Sequence, residues 1–351
     1  METQAGDATE TARTDKVNEA PKRRVALDAM GGDNAPGEIV LGAIQAAQEQ
    51  GIGVWLVGPE ETLRAELARH DITGLDLEIV HTDEVIEMDE HPAQAVRQKP
   101  DSSMAVCARL CKEGRADGWT SAGNSGAIMA AAILIQGRIK GVERPALGSI
   151  VPTRNGFSYF LDVGANVDTK PDYMVQFAQM GAVYAREMMG RAMPSVALLS
   201  NGEEEGKGDE RVRETSRRLK GFLPGFVGNA EPKDIFNARA DVIVADGFVG
   251  NVAIKMAEAT AEFLFRNLRD EIPKTLPGKF GGLLIRPRVQ EIRDRIDWRE
   301  FGGAPLLGID GVAVVAHGRS DARAMKNAIR VTRDAVGNGL VGKIRAEVGK
   351  A

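Results

Sequence analysis

The chain predicts an α/β fold: a three-layer sandwich with a mostly parallel sheet and helices on both faces. Three observations carry this. Short β-rich runs alternate with helix-period segments along most of the sequence, which is the pattern of parallel strands joined by crossover helices. Many of those runs end in a turn rich in Gly, Asn, Asp or Ser that leads straight into a helix. The 351 residues, 43% hydrophobic and 27% charged, can bury a large core and rule out a mostly disordered chain.

The elements follow in order. Residues 1–22 contain no Leu, Ile or Phe and read as a disordered tail, because they cannot bury enough apolar surface to order themselves. A strand at 25–29 precedes a helix at 37–50. A strand at 54–57 precedes a helix at 61–70, and a strand follows at 77–82. An amphipathic helix is expected at 102–114. After a turn, the apolar run 127–135 reads as a buried helix. Strand–helix pairs follow at 159–163 and 171–189, at 196–200 and 209–220, at 241–245 and 252–268, and at 312–316 and 320–338. No fixed-period repeat is present. Residues 23–345 are assigned to one α/β domain, with a helical hairpin at about 252–299 inside it.

Composition excludes several functions. Two cysteines, Cys107 and Cys111, exclude a disulfide framework and suit a reducing compartment. Their i, i+4 spacing fits buried small apolar residues better than a reactive thiol pair. A net charge of −5 argues against a general nucleic-acid binder. The longest apolar run, Ala127 to Ile135, has nine residues, and a membrane-spanning helix needs about 20.

The strand-end turns are the main functional signal. They lie at 28–34, 121–126, 162–166, 200–202, 246–251 and 317–321. In a parallel sheet all would sit on one carboxyl edge, where open α/β sheets bind ligands. The helix N-termini that follow suit an anion such as phosphate. Asn, Asp and Ser are also good N-caps and Gly makes turns, so any one turn has a structural explanation. Six in one chain, with 40 glycines, favour an anion site.

Known motifs add little. No G-x-G-x-x-G follows the first strand, so a nicotinamide cofactor is unsupported. The segment Gly202-Glu-Glu-Glu-Gly206-Lys207-Gly208 is not a P-loop: its glycine spacing is one short, and Gly stands where Ser or Thr would bind Mg²⁺. His81 and His91 flank an acidic stretch whose spacing matches no metal site. No cofactor or metal is therefore expected. Lys207 sits between two glycines before a helix, where a lysine can meet phosphate as a compact charge. His317 lies on a strand-end turn, which allows either a site role or a packed histidine.

Residues 272–288 stand apart. They hold Lys274, Lys279, Arg286 and Arg288 with no acidic residue, alongside Leu276, Phe280, Leu283, Leu284 and Ile285. Pro and Gly are expected to break any long helix here, leaving a tip between two helices. Basic plus apolar character suits an anionic lipid surface or an acidic partner. A dimerisation or core hairpin would read the same way.

Taken together, the strings DAMGGDNAP, SAGNSGA, GRIKGVERPALG, LDVGANVDTKP, DGFVGN and FGGAPLLG…AHGRSD resemble the bacterial phosphate acyltransferase family, the PlsX type, over about residues 24–340. The resemblance implies transfer of a fatty acyl group from acyl carrier protein to inorganic phosphate, yielding acyl phosphate for phospholipid synthesis. It implies a fold similar to isocitrate and isopropylmalate dehydrogenases and to phosphotransacetylase. It also implies a cytoplasmic homodimer held peripherally on the inner face of the membrane, with a glycerol-3-phosphate acyltransferase downstream. The family's lysine matches Lys207 and its asparagine matches Asn251. Further contacts to phosphate or substrate are expected from Asp28, Gly31, Gly32, Asn124, Ser125, Asn166 and His317. Arg266, Arg269, Lys274 and Arg286 are expected to meet the acidic carrier. The alternative is a phosphotransacetylase-like enzyme that uses acyl-CoA.

Overall fold

A computed structural model describes residues 23–154 and 156–348. The tail expected at 1–22 lies outside them. Eleven strands form one sheet in the order β3-β2-β1-β4-β11-β10-β5-β6-β9-β7-β8. On one flank are β1 (Arg24–Asp28), β2 (Gly53–Gly58), β3 (Leu77–His81), β4 (Gly118–Ser121) and β11 (Ala313–Val315), all mutually parallel. On the other are β6 (Gly156–Leu161), β7 (Val196–Leu199), β8 (Phe226–Ala230) and β9 (Val242–Val244), also mutually parallel. Between them β5 (Ala146–Thr153) and β10 (Ala304–Leu307) make three antiparallel pairings.

Those three reversals correct one expectation. The second flank runs opposite to the first, so the strand-end turns do not share an edge. Turns 28–34, 121–126 and 317–321 emerge at one edge, and turns 162–166, 200–202 and 246–251 at the other. Strands β4, β5, β8 and β10 are not expected from the sequence. They are short or carry Pro and Gly, and only pairing with distant strands makes them strands.

Alternation along each strand builds the layers. Ala26, Trp55, Phe160, Ala197 and Ile243 face a core shared with α4 (Ser103–Lys112) and α5 (Ser125–Ala131). Val25, Leu27, Val54 and Leu56 face the opposite side, with α1 (Gly37–Gln50) and α11 (Ala322–Gly337). Tyr159, Leu161, Val196, Val242 and Val244 face that same side on the second flank, under α6 (Pro171–Met188) and α7 (Glu210–Leu219). The remaining helices are α2 (Glu60–Leu67), α3 (Pro92–Gln98), α8 (Asp234–Asn237), α9 (Gly247–Glu271), α10 (Leu276–Arg295) and α12 (Leu340–Val348). The apolar run 127–135 is helical as expected, but it ends in a π-turn over Ala132–Gln136.

The hairpin differs from expectation in a second way. Its connection is short, over Ile272–Thr275, and α10 runs on through Gly278, Gly281, Gly282 and Pro287. Pro277 sits in the first turn, where a proline lacks nothing, and Thr275 Oγ1 accepts from Gly278 N at 3.0 Å. Two of these glycines, Gly278 and Gly282, serve packing. A Cβ on Gly278 would lie 2.0 Å from Ile272 O, and one on Gly282 would lie 2.9 Å from Ile272 Cγ2. Bare backbone there lets the start of α10 close against the Ile272–Thr275 connection. No residue of α10 is buried, and only Gly247 and Gly250 of α9 are.

Candidate functional site

The residues singled out above fall into two groups, one at each edge of the sheet. The first centres on Asn251. At the end of β6, buried Asp162 accepts from Leu147 N (3.0 Å), Gly164 N (3.1 Å) and Ala165 N (2.9 Å) at Oδ1. Its Oδ2 accepts from Asn166 N (2.8 Å) and Asn166 Nδ2 (2.9 Å). Burial raises its carboxyl pKa, against the pull of these donors. Asn166 Nδ2 also reaches Pro145 O at 2.7 Å, so this side chain braces the loop. Asn251 Nδ2 donates to Val163 O at 3.0 Å.

Lys207 lies exposed on the loop after β7. Asn201 Oδ1 accepts from Gly208 N at 2.9 Å and Asp209 caps α7, which together shape that loop. Of the neighbouring glutamates, Glu203 pairs with Lys233 and Glu205 with Lys220. Arg211 joins the Lys207 loop to the Asn251 helix. It bonds Asp209 Oδ2 at 2.8 Å and Asp246 Oδ2 at 3.3 Å. Asp246 in turn caps α9 by accepting from Phe248 N and Val249 N.

The second group centres on Asp28, which is buried at the end of β1. It accepts from Ser121 Oγ at 2.6 Å and from Met30 N at 3.2 Å. Burial raises its pKa. Gly31 is needed here, since a Cβ would fall 2.6 Å from Asp28 Oδ2 and 2.7 Å from Gly123 N. Asp33 N donates to Gly318 O at 2.7 Å, and Asn34 Nδ2 reaches Ser320 O at 3.1 Å, so this loop is tied to the His317 turn. Gly32 sits between them at φ +105°. Asn124 caps α5 through Ala127 N, and its Nδ2 bonds Met88 O and Glu90 O. That side chain is spent inside the protein. Ser125 follows it, exposed, at the start of α5.

His317 Nδ1 accepts from Arg319 N at 3.3 Å, and its ring lies 5.2 Å from Trp298. Its pKa is lowered by burial and by Arg319 and Lys255, with Glu258 and Asp33 opposing. Lys255 and Glu258 belong to α9. That helix therefore starts at one group and passes the other. One turn, about 5.4 Å, separates Asn251 from Lys255.

Cys107 and Cys111 are structural. Burial pushes both thiols well above their ordinary range. Among the described residues, no group of three or more His, Cys, Asp or Glu could hold a metal ion. None of their helices is long and apolar enough to cross a membrane. The five apolar tip residues Leu276, Phe280, Leu283, Leu284 and Ile285 are 45–80% exposed, which excludes a core role in this chain. A groove of about 1020 Å³ separates α9 from α10, lined by Arg266, Arg269, Lys279 and Arg286 among others.

The organising residues Asp162, Asp246, Arg211 and Ser121 were not singled out from the sequence. Asp162 and Asp246 did carry a signal: an acidic residue ending an apolar strand run, with a glycine one or two residues on.

The fatty acid synthesis protein family matches residues 23–343. A phosphate acyltransferase from Anaeromyxobacter sp. (strain Fw109-5) is 50% identical over 325 residues, covering 92% of this chain and 90% of that protein. One from Geobacter sulfurreducens is 50% identical over 317 residues, covering 90% and 92%. A phosphotransacetylase structure from Streptococcus pyogenes overlays with a TM-score of 0.62 at 17% identity, covering 90% of this chain and 94% of that one. A 4-hydroxythreonine-4-phosphate dehydrogenase from Klebsiella pneumoniae overlays at 0.53 and 14% identity, covering 91% and 99%. These two likenesses are of fold alone. With a family match over nearly the whole chain and curated relatives at half identity, the chain belongs to the fatty acid synthesis protein family, alongside the phosphate acyltransferases.

Proposed function

We propose that this acyltransferase moves a fatty acyl group from acyl carrier protein to inorganic phosphate, releasing acyl phosphate for phospholipid synthesis. The observation that carries the chemistry is the Arg211 bridge, which ties the Lys207 loop to the helix bearing Asn251. Phosphate is itself the nucleophile, so no Ser or Cys attack is needed. A phosphate oxygen bonds to the thioester carbonyl carbon, and negative charge collects on the carbonyl oxygen. The C–S bond then breaks, the thiolate leaves with the electron pair, and the acyl–phosphate bond remains. Lys207 offsets charge on phosphate or on the oxyanion. One Asn251 N–H is held by Val163 O, and the other is the donor assigned to the oxyanion.

The second group contributes through α9. An extended substrate lying along that helix reaches from Asn251 past Lys255 to His317. Asp28 shapes Gly31 and Gly32 there as backbone donors, with Ser125 beside them. Asn124 and Asn166 act by holding the two loops. Residues 23–345 then form one catalytic domain. A second copy of the chain is proposed to cover the apolar face of α9, where Val252, Met256, Phe263 and Leu264 are exposed. The hairpin would also serve docking, since the acidic carrier suits the basic groove. Residues 276–285 would rest on an anionic membrane on its cytoplasmic side, which suits delivery to a downstream glycerol-3-phosphate acyltransferase.

The test is thiol release from long-chain acyl carrier protein with and without phosphate, with acyl phosphate trapped by hydroxylamine. Phosphate-dependent release is expected. Phosphate-independent release would make the protein a thioesterase, and preference for acyl-CoA would move it to the phosphotransacetylase-like alternative. For the tip, Leu283→Glu/Leu284→Glu is expected to abolish sedimentation with anionic liposomes while thiol release in solution persists. Unchanged sedimentation would sink the membrane role.

A further inference from the structure

We propose that Gly164, held in place by Asp162, is a positioning residue for Asn251: its bare Cα is the surface on which the reactive amide is oriented. The proposal rests on the assignment of Asn251 above. Gly164 sits at φ +140°, a backbone conformation that side chains rarely adopt. A Cβ there would lie 2.8 Å from Asn251 Nδ2, 3.6 Å from its Cγ and 3.7 Å from its Cβ. The whole Asn251 side chain thus packs across this one glycine. The carbonyl that receives its N–H belongs to the preceding residue, Val163.

The loop cannot drift, because five N–H groups converge on the Asp162 carboxylate. The helix is seated closely against the loop. Gly247 N donates to Asn166 O at 2.9 Å, and a Cβ on Gly250 would lie 1.9 Å from Asp162 O. Backbone therefore meets backbone on both sides of Asn251. With one amide hydrogen fixed on Val163 O, the direction of the other follows from the planar geometry of the amide. That is a donor oriented before the substrate arrives, the form of help that costs no reorganisation during reaction.

Gly164→Ala tests this within a double-mutant cycle with Asn251→Ala. Displacement by about 1 Å can cost about 10²-fold in rate, so Gly164→Ala is expected to lower kcat by about that factor. KM for phosphate and for the acyl donor should stay within about twofold, as expected when only transition-state contacts are lost. In the Asn251→Ala background, Gly164→Ala should cost nothing further, because the Nδ2 atom that the new methyl group would displace is gone and the remaining Cβ, at 3.7 Å, is in ordinary contact. Backbone strain at φ +140° is present in both backgrounds and cancels in the cycle. If Gly164→Ala does not fold, Asn166→Ala replaces it. It removes one donor from Asp162 and should give a smaller kcat loss that also vanishes without Asn251. A full loss on top of Asn251→Ala would overturn the proposal and leave the reaction assignment intact. Normal turnover in Asn251→Ala alone would overturn the assignment itself.

Discussion

Lys207→Ala and Asn251→Ala are each expected to lower kcat for phosphate-dependent acyl transfer by about 10²–10³-fold, the usual cost of removing one oxyanion donor. Lys207 is exposed, and its loop is shaped by Asn201 and Asp209. Its removal should therefore leave the melting temperature almost unchanged. Asn251 contributes one bond to Val163 O, and a lost neutral bond of that kind costs about 0.5–1.5 kcal/mol. Thermal unfolding followed beside steady-state kinetics separates the two effects. Near wild-type turnover in either variant would remove that residue from the mechanism.

The largest effect on stability is expected at Trp119. It is fully buried on β4, within the core that spans both flanks of the sheet. Its Nε1 donates to Gln136 Oε1 at 2.7 Å, and Gln136 is itself buried. Trp119→Ala would leave a large cavity and an acceptor without its donor. Truncations of this kind cost about 3–5 kcal/mol, a large share of the roughly 5–15 kcal/mol that holds a domain together. Urea unfolding should show a much lower midpoint. Trp119→Phe keeps most of the volume, loses the hydrogen bond and should fall between the two. Equal midpoints for Trp119→Ala and the parent chain would contradict the packing described here.

Much of the fold was legible because its signals are local. The β-rich runs and helix periods place most of the strands and helices of both flanks within a few residues. The turn chemistry was also legible. Asn124, Asp209, Asp246 and Asp321 do cap the helices that follow them, each accepting from a backbone N–H two or three residues on. Misjudged were segments whose state depends on a partner. In β5, Pro and Gly argue against a strand, yet it is held by β6 on one side and β10 on the other. In α10, glycine reads as a breaker, but Gly278 and Gly282 are where the helix must approach Ile272.

The sequence by itself determined the α/β class, the family strings and the residue types available for anion chemistry. All of these rest on neighbours within one or two turns of chain. The tertiary structure decided which of those residues meet. Asp28 finds Ser121 from 93 residues away, Asn251 finds Val163 from 88, and Thr120 finds Thr332 from 212. Three antiparallel pairings at β5 and β10 sent the strand-end turns to opposite edges, and the length of α9 bridged them again. No local pattern encodes strand direction or the close approach of two backbones. Both are settled by which apolar faces can be buried together once the whole sheet has formed.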